Sequence, residues 1–189
     1  RVQPARAWIE ARAGAGRAGF VVSSRIELAD ERQTFLVRND NDRRLEEFVA
    51  LEGLNLTVQA GQFCTVVGPS GCGKTTVLDL IAGLATPTAG TVSIDGAPIT
   101  GPGLDRSVVF QQYALLPWRS ALGNVAFALE AKGGYTKAER KRIAAEYLDL
   151  VGLGEFANRL PSELSGGMKQ RVAIARSLCY EPGVLLMDE

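Results

Sequence analysis

The glycine-rich stretch Gly68–Thr75 constrains the fold more than any other part of this sequence. It reads G-P-S-G-C-G-K-T and satisfies the pattern G-x-x-x-x-G-K-[ST]. An apolar, β-rich run, Phe63–Val67, precedes it, and Thr75–Leu84 follows with apolar residues at helical spacing. A buried strand, a glycine loop and a helix, followed by further buried strands, predict an α/β fold with a mainly parallel sheet.

The residue types of this loop suit a nucleotide. Glycines let successive backbone N–H groups point at one phosphate, and the following helix adds its positive N-terminal end. Lys74 would supply a charge to the β- and γ-phosphates, and the Thr75 hydroxyl could ligate Mg²⁺. Cys72 is interpreted as a small filler residue, with a redox role as the alternative. The residues expected at the phosphates are Gly68, Pro69, Ser70, Gly71, Cys72, Gly73, Lys74 and Thr75.

Two carboxylates, Asp188 and Glu189, follow the apolar run Val184–Met187. Because burying unpaired charge is costly, acids directly after a core strand call for an explanation. At the carboxyl end of a parallel strand they would emerge beside the nucleotide. Asp188 is suited to hold Mg²⁺ through water, and Glu189 to polarise an attacking water. Solvated acids at a strand end are the structural alternative.

A second glycine motif, Leu164–Arg171, reads L-S-G-G-M-K-Q-R. A serine and two glycines that begin a helix form a second anion-binding helix terminus. Two phosphate sites in one small domain are puzzling for a monomer. They make sense if two copies pack head to tail, so that each serine loop closes over the partner's γ-phosphate.

With these motifs the chain resembles the ABC ATPase family over about residues 34–189. The Walker A loop would be Gly68–Thr76, the Q-loop Val109–Gln111, the signature Leu164–Arg171 and Walker B Val184–Glu189. The resemblance implies ATP and Mg²⁺ as cofactors and a head-to-tail dimer of the nucleotide-binding domain.

The resemblance also implies a role for each matching residue. Lys74, Thr75 and Thr76 would bind phosphate and Mg²⁺, and Asp188 would bind the metal. Glu189 would be the catalytic base. Gln111 would sense the metal and the water and link the site to a membrane partner. The residues implied to contact ATP across the dimer are Ser165, Gly166 and Gly167. Phe35 would stack on adenine, with Phe48 as the alternative.

Two stretches, Gly101–Arg106 and Gln111–Trp118, look like those of importers for nitrate, sulfonate, taurine and related anions. The chain would then be the ATP-binding and ATP-hydrolysing subunit of such an importer. Its partners would be a transmembrane permease and a periplasmic or extracellular solute-binding protein, and it would lie on the cytoplasmic face of the membrane. Tyr113–Trp118 would form part of the permease groove or pack in the subdomain core, with Trp118 more exposed than Leu115.

Two departures from the family pattern limit this interpretation. Met168 replaces the glutamine of many members. The D-loop and the switch histidine would lie beyond Glu189, so we expect a C-terminally truncated cassette whose residues 1–189 hydrolyse little ATP. One alternative is therefore a nucleotide-binding fragment without hydrolysis, and another is a soluble, non-transport ABC ATPase. The balance of 21 Lys and Arg against 21 Asp and Glu argues by itself neither for nor against nucleic acid. A soluble ABC protein that remodels DNA or ribosomes would need a coiled-coil insert or a second cassette and a basic face, and the sequence shows no heptads and no net positive charge, so no nucleic-acid partner is expected.

The sequence predicts the following domain organisation. Residues 1–24 would be a disordered extension, and residues 25–189 a partial nucleotide-binding domain with an antiparallel β subdomain. A helical subdomain would span about residues 112–165. The charged run at residues 38–47 reads as a solvated loop. Local signals predict a hairpin with an Asp95-Gly96 turn, a capping box at Thr136 and Glu139, and a helix after Ser165.

Overall fold

A computed structural model describes residues 23–38, 45–69 and 71–188. The chain divides into two compact units. The described residues up to Arg106, together with Asp188, form the first unit, and Ser107–Met187 form the second. In the described ranges no helix is both long and apolar enough to cross a bilayer. Nearly all of the predicted extension, residues 1–24, lies outside these ranges.

The first unit is built on an antiparallel sheet with the strands β1 (Ile26–Arg38), β2 (Leu45–Val58), β3 (Ala89–Ile94) and β4 (Ala97–Pro98). Their order in the sheet is β2-β1-β3-β4. The ladder of β1 and β2 runs from the Ile26–Val58 pair to the Arg38–Leu45 pair. The far edge of β1 pairs with β3, and β4 pairs with β3. The sheet confirms the predicted antiparallel elements.

The loop predicted for residues 38–47 is partly wrong. Arg38 ends β1, and Leu45–Glu47 already belong to β2, while residues 39–44 lie outside the described ranges. The hairpin of β1 and β2 continues into the charged run. In it Arg32 of β1 forms an ion pair with Glu47 of β2, with Nη2 3.9 Å from Oε1. The predicted Asp95-Gly96 turn is confirmed, because both residues have positive φ, as a tight hairpin turn requires.

A β-bulge changes which residues of β1 face the core. Ile26 and Leu28 are buried before it, whereas Glu31 is buried after it. The register shifts between Leu28 and Glu31, and Asp30 has a φ of 52°. Gly90 passes so close to this bulge that a Cβ there would overlap the Asp30 carbonyl group. The bulge therefore places an acidic side chain where the two-residue alternation predicts solvent.

The helix predicted after the glycine loop is confirmed as α1 (Lys74–Ala82). It ends at Gly83, which takes the left-handed conformation with a φ of 74°. Arg106 fixes this end, because its Nε donates to the Ala82 carbonyl at 3.0 Å. The α1 side chains that enter the core of the first unit are Val77, Leu80, Ile81 and Ala82.

The strand predicted at Phe63–Val67 is wrong. No strand is assigned to these described residues, and Phe63 and Val67 are 66% and 87% exposed. A buried parallel strand needs a partner for its backbone groups, but β5 (Arg106–Val109) and β6 (Val184–Met187) pair with each other. The run therefore has an apolar sequence without the hydrogen-bonded neighbours that would make it a strand.

The core of the second unit is a cluster of three α-helices, α2 (Ala121–Lys132), α3 (Lys137–Leu150) and α4 (Gly166–Leu178). The capping box of α3 is confirmed: Thr136 Oγ1 accepts from the Glu139 N–H, and Glu139 accepts from the Thr136 N–H. The predicted helical subdomain falls inside this unit, and its boundaries stay a prediction. The fully buried side chains at its centre are Val125, Leu129, Ala144, Leu148, Leu153, Val172 and Ala175.

Candidate functional site

The glycine loop closes around the side chain of its own lysine. Lys74 is the first residue of α1, and its ammonium donates to the carbonyls of Gly68 at 2.9 Å and Pro69 at 2.8 Å. The Cys72 N–H bonds the Pro69 carbonyl at 3.3 Å, which tightens the curve. A positive charge thus lies at the N-terminal end of a helix, where the helix dipole also favours an anion.

Glycine is required at position 73 for two independent reasons. Gly73 has a φ of 92°, in the left-handed region that other residues disfavour. A Cβ at this position would also lie 2.8 Å from Leu51 Cδ2 and 3.1 Å from the Ala50 carbonyl oxygen. β2 therefore packs directly against the loop, and the glycine pattern reflects this close approach as well as the turn.

Two predicted metal ligands come together in the first unit. The Thr75 hydroxyl donates to Asp188, with Oγ1 3.3 Å from Oδ1 and 3.5 Å from Oδ2. Hydroxyl and carboxylate oxygens are ligands that Mg²⁺ accepts, so this pair fits the ion. Among the described residues no group of three or more His, Cys, Asp or Glu side chains could hold a metal. Water and nucleotide oxygens would have to complete the coordination.

Asp79 is an acidic neighbour of this pair that the sequence analysis missed. Burial and the nearby Asp188 carboxylate, in that order, raise the pKa of Asp79. Asp79 follows Thr75 by four residues on α1, so both side chains lie on one face of the helix. The four-residue spacing from Thr75 was the sequence signal that could have identified Asp79. A cation bound at Asp188 would relieve the repulsion between the two carboxylates.

The two candidate adenine-stacking residues lie opposite each other. Phe35 of β1 and Phe48 of β2 are direct partners across the antiparallel ladder, and both side chains are exposed. Directly opposite residues on a ladder share one face. The two aromatics therefore offer one exposed ring pair in the unit that carries the glycine loop, and either could stack on a base.

In the second unit, the segment after β5 has no regular secondary structure and is held by buried polar groups. Gln111 lies in an exposed turn at its start. Asn124, fully buried on α2, accepts from the Leu116 N–H at 2.8 Å and donates to the carbonyls of Leu116, Arg119 and Ser120. Trp118 is 73% exposed, whereas Leu115 packs on the helical core, which confirms the predicted difference between them.

The serine–glycine motif begins α4 as predicted. Ser165 is the N-cap, and its hydroxyl accepts from the Met168 N–H at 3.3 Å. The neighbouring Met168 side chain packs on the helical core. Ser165, Gly166 and Gly167 are exposed. The motif thus presents the first amides of a helix to solvent, where an anion could bind them.

Ser70 and Glu189 lie outside the described residues, so their predicted contacts stay predictions. Pro69, Gly71 and Cys72 are exposed in the loop, and Thr76 is partly buried on α1. The structure thus brings Thr75 together with Asp188 in the first unit. In the second unit Gln111 lies at the start of the irregular segment and Ser165–Gly167 at the start of α4.

Comparisons with known proteins show the family of the chain. The ABC transporter family model matches residues 51–189, more than half of the chain. The chain belongs to the ABC transporter family. The nitrate import ATP-binding protein NrtD of Synechocystis is 50% identical over 164 residues, which cover 87% of this chain and 59% of NrtD. An uncharacterized ABC transporter ATP-binding protein of Methanocaldococcus jannaschii is 56% identical over 140 residues, 74% of this chain and 52% of that protein.

The bicarbonate transport ATP-binding protein CmpC of Synechocystis is 51% identical over 144 residues, which cover 76% of this chain and 22% of CmpC. Among solved structures, the dimeric ATP-binding cassette MJ0796 bound to ADP and Pi has a TM-score of 0.77 at 36% identity. The match covers 87% of this chain and 73% of that chain. The fold is therefore that of an ABC cassette. The chain spans about half the length of the first curated relatives it matches.

Proposed function

We propose that this chain is the ATP-binding and ATP-hydrolysing part of an ABC importer for a small anion such as nitrate or bicarbonate. The geometry that supports it most directly is the phosphate loop, in which the Lys74 ammonium lies inside the curve and Thr75 meets Asp188. The solute class is carried over from the relatives that are named for nitrate and bicarbonate transport.

In the proposed mechanism the loop N–H groups and Lys74 bind the β- and γ-phosphates. Thr75 and Asp188 would hold Mg²⁺, which would supply charge neutralisation on the phosphate oxygens. Glu189 orients the attacking water, and Gln111 responds to the metal and to the permease. Ser165–Gly167 of one copy close over the nucleotide of a second copy, at the cytoplasmic face of the membrane. A solute-binding protein would select the anion outside the membrane.

The test uses the complete gene product with and without its co-expressed permease. We expect Mg²⁺-dependent ATP hydrolysis that falls at least about a hundredfold in Glu189→Gln, because the water loses its base. ATP binding should persist in that variant and be lost in Lys74→Ala. As a control, Lys132→Met, which changes an exposed helix residue of the second unit, should hydrolyse ATP at the wild-type rate. ATP binding without turnover in the wild type would favour a nucleotide-binding protein that does not hydrolyse.

The solute requires a separate experiment. The complete importer, reconstituted in vesicles with its solute-binding protein, should couple ATP hydrolysis to uptake of labelled nitrate or bicarbonate. If neither anion stimulates hydrolysis in vesicles where the ATPase is active, nitrate and bicarbonate are refuted as solutes, and the ATPase assignment stays intact.

A further inference from the structure

A left-handed turn lies two residues after Gln111. Tyr113 and Ala114 have φ values of 60° and 46°. These values lie in the left-handed region, which is unfavourable for residues that have a Cβ. Two such residues in succession persist only where their surroundings fix the backbone. The turn is therefore maintained by specific contacts, because neither residue prefers this conformation.

Arg176 of α4 supplies those contacts. Its Nη1 donates to the Ala114 carbonyl at 2.7 Å, and its Nη2 donates to the Tyr113 carbonyl at 3.0 Å. A planar guanidinium can serve two neighbouring acceptors at once, which a lysine ammonium does less well. The Tyr113 N–H bonds the Phe110 carbonyl at 2.9 Å. The turn is thus tied to the end of β5 on one side and to α4 on the other.

The Tyr113 side chain reaches the first turn of the same helix. Its hydroxyl lies 3.5 Å from the position that a Cβ on Gly166 would occupy. Gly166 follows the N-cap Ser165, whose hydroxyl accepts from the Met168 N–H. A change of φ at Tyr113 would displace the phenol relative to this turn, so the backbone state of the segment after Gln111 bears on the serine–glycine motif.

We propose that Arg176 is a positioning residue, which holds Tyr113 and Ala114 in the left-handed conformation and thereby sets the conformation of Ser165–Gly167. The proposal rests on the proposed function only for the ligand of that motif, the nucleotide of a second copy. The clamp itself is a property of the nucleotide-free chain. Arg176 does not touch the reacting atoms and acts through Tyr113.

The first measurement is hydrogen exchange on the nucleotide-free, complete gene product. In Arg176→Met, peptides covering residues 111–118 and 165–169 should exchange faster by about fivefold or more, while those of α2 and α3 keep their rates. The matched control is Lys132→Met, which removes another bond from a helix side chain to a carbonyl, Lys132 Nζ to Tyr180 O at 2.6 Å. That control should leave both peptides unchanged.

A rescue variant separates positioning from general stabilisation. Glycine takes positive φ without steric cost, so Ala114→Gly combined with Arg176→Met should return most of the lost protection to both segments. If Arg176→Met does not fold, Arg176→Lys replaces it, because it keeps the charge and one of the two bonds. Wild-type exchange in the folded Arg176 variant, or no rescue by Ala114→Gly, would overturn the proposal.

The functional consequence is read from ATP-dependent dimerisation in a Glu189→Gln background. Arg176→Met should weaken dimerisation by roughly tenfold while ATP binding to the monomer stays within about twofold, and Ala114→Gly should restore it. Unaltered dimerisation despite altered exchange would overturn the link to Ser165–Gly167. Failure of the wild type to bind ATP would refute the proposed function alone, since the exchange experiment contains no nucleotide.

Discussion

Replacing Glu31 by leucine should stabilise the unit that contains the phosphate loop. Glu31 is 0% exposed, and neither of its carboxylate oxygens has a hydrogen-bond partner among the described residues. A buried polar group without a partner costs about 1–3 kcal/mol, and an apolar side chain of similar size removes that cost. We therefore expect Glu31→Leu to raise the free energy of unfolding by about 2 kcal/mol, and the melting temperature by about 4–8 °C.

The pH dependence follows from the direction of the pKa shift. Burial raises the pKa of Glu31 above its ordinary value of 4.5. Between the ordinary pKa and the raised one, the unfolded chain releases a proton that the folded chain retains, so wild-type stability falls as the pH rises. Above the raised pKa the loss is complete. The stability difference between Glu31→Leu and the wild type should therefore increase as the pH rises from the ordinary to the raised pKa, and stay constant above it.

The assay is urea denaturation followed by far-ultraviolet circular dichroism at several pH values. Glu52→Leu is the matched control, because Glu52 is an exposed residue of β2 and its replacement should change stability by less than about 0.5 kcal/mol. Glu31→Gln removes the charge but keeps a buried polar group, so its free energy of unfolding should lie between those of the wild type and Glu31→Leu. A loss of stability in Glu31→Leu with a neutral control would refute the reasoning that the carboxylate is uncompensated.

Three further predictions concern other side chains. In the native protein the exposed Cys64 and Cys72 should be alkylated rapidly. Cys179 should not, because burial raises the pKa of its thiol to about 12. ATP should slow alkylation only at Cys72, and Cys72→Ser is the control. Thr136→Ala should cost about 1 kcal/mol in urea denaturation through loss of the α3 cap, while Thr136→Ser should be nearly neutral. Asn124→Leu should lower stability by about 3 kcal/mol or more. It should also speed hydrogen exchange at residues 116–120, because the Leu116 N–H and the Arg119 carbonyl lose the side-chain amide that they bond; unchanged exchange there would contradict this role.

Much of the fold could be predicted because its signals are local. The cap at Thr136 and the Asp95-Gly96 turn each depend on residues within a few positions. The glycine loop is local in the same sense, since its conformation needs only small residues and the start of a helix. These elements appear in the structure where the sequence places them.

Pairing between distant strands is not local, and there the prediction failed. The apolar run Phe63–Val67 has the composition of a buried strand, but its burial depends on which segments lie beside it. In the structure β5 pairs with β6, and the run has no strand partner among the described residues. Composition predicts that a segment can be a strand, whereas hydrogen-bonded neighbours decide whether it is one.

Site residues divide in the same way. Lys74, Thr75 and Ser165 belong to short motifs, so the sequence identifies them. Arg176 acts on Tyr113, which is 63 positions away, and no spacing rule connects the two residues. Its role becomes visible only when the carbonyls that it binds are known, because an arginine on a helix is otherwise a typical solvated residue.

The burial of Glu31 could not be predicted for a third reason, because the inward–outward alternation of side chains shifts by one residue within β1. Continuing the alternation from Ile26 and Leu28 places position 31 on the solvent side, where a glutamate is ordinary. The bulge at Asp30 inserts one residue and turns Glu31 inward. Gly90 allows this, since any side chain there would collide with the Asp30 carbonyl. A single glycine on the neighbouring strand thus decides which face of β1 carries the acid, and Gly90→Ala should disrupt the bulge that buries it.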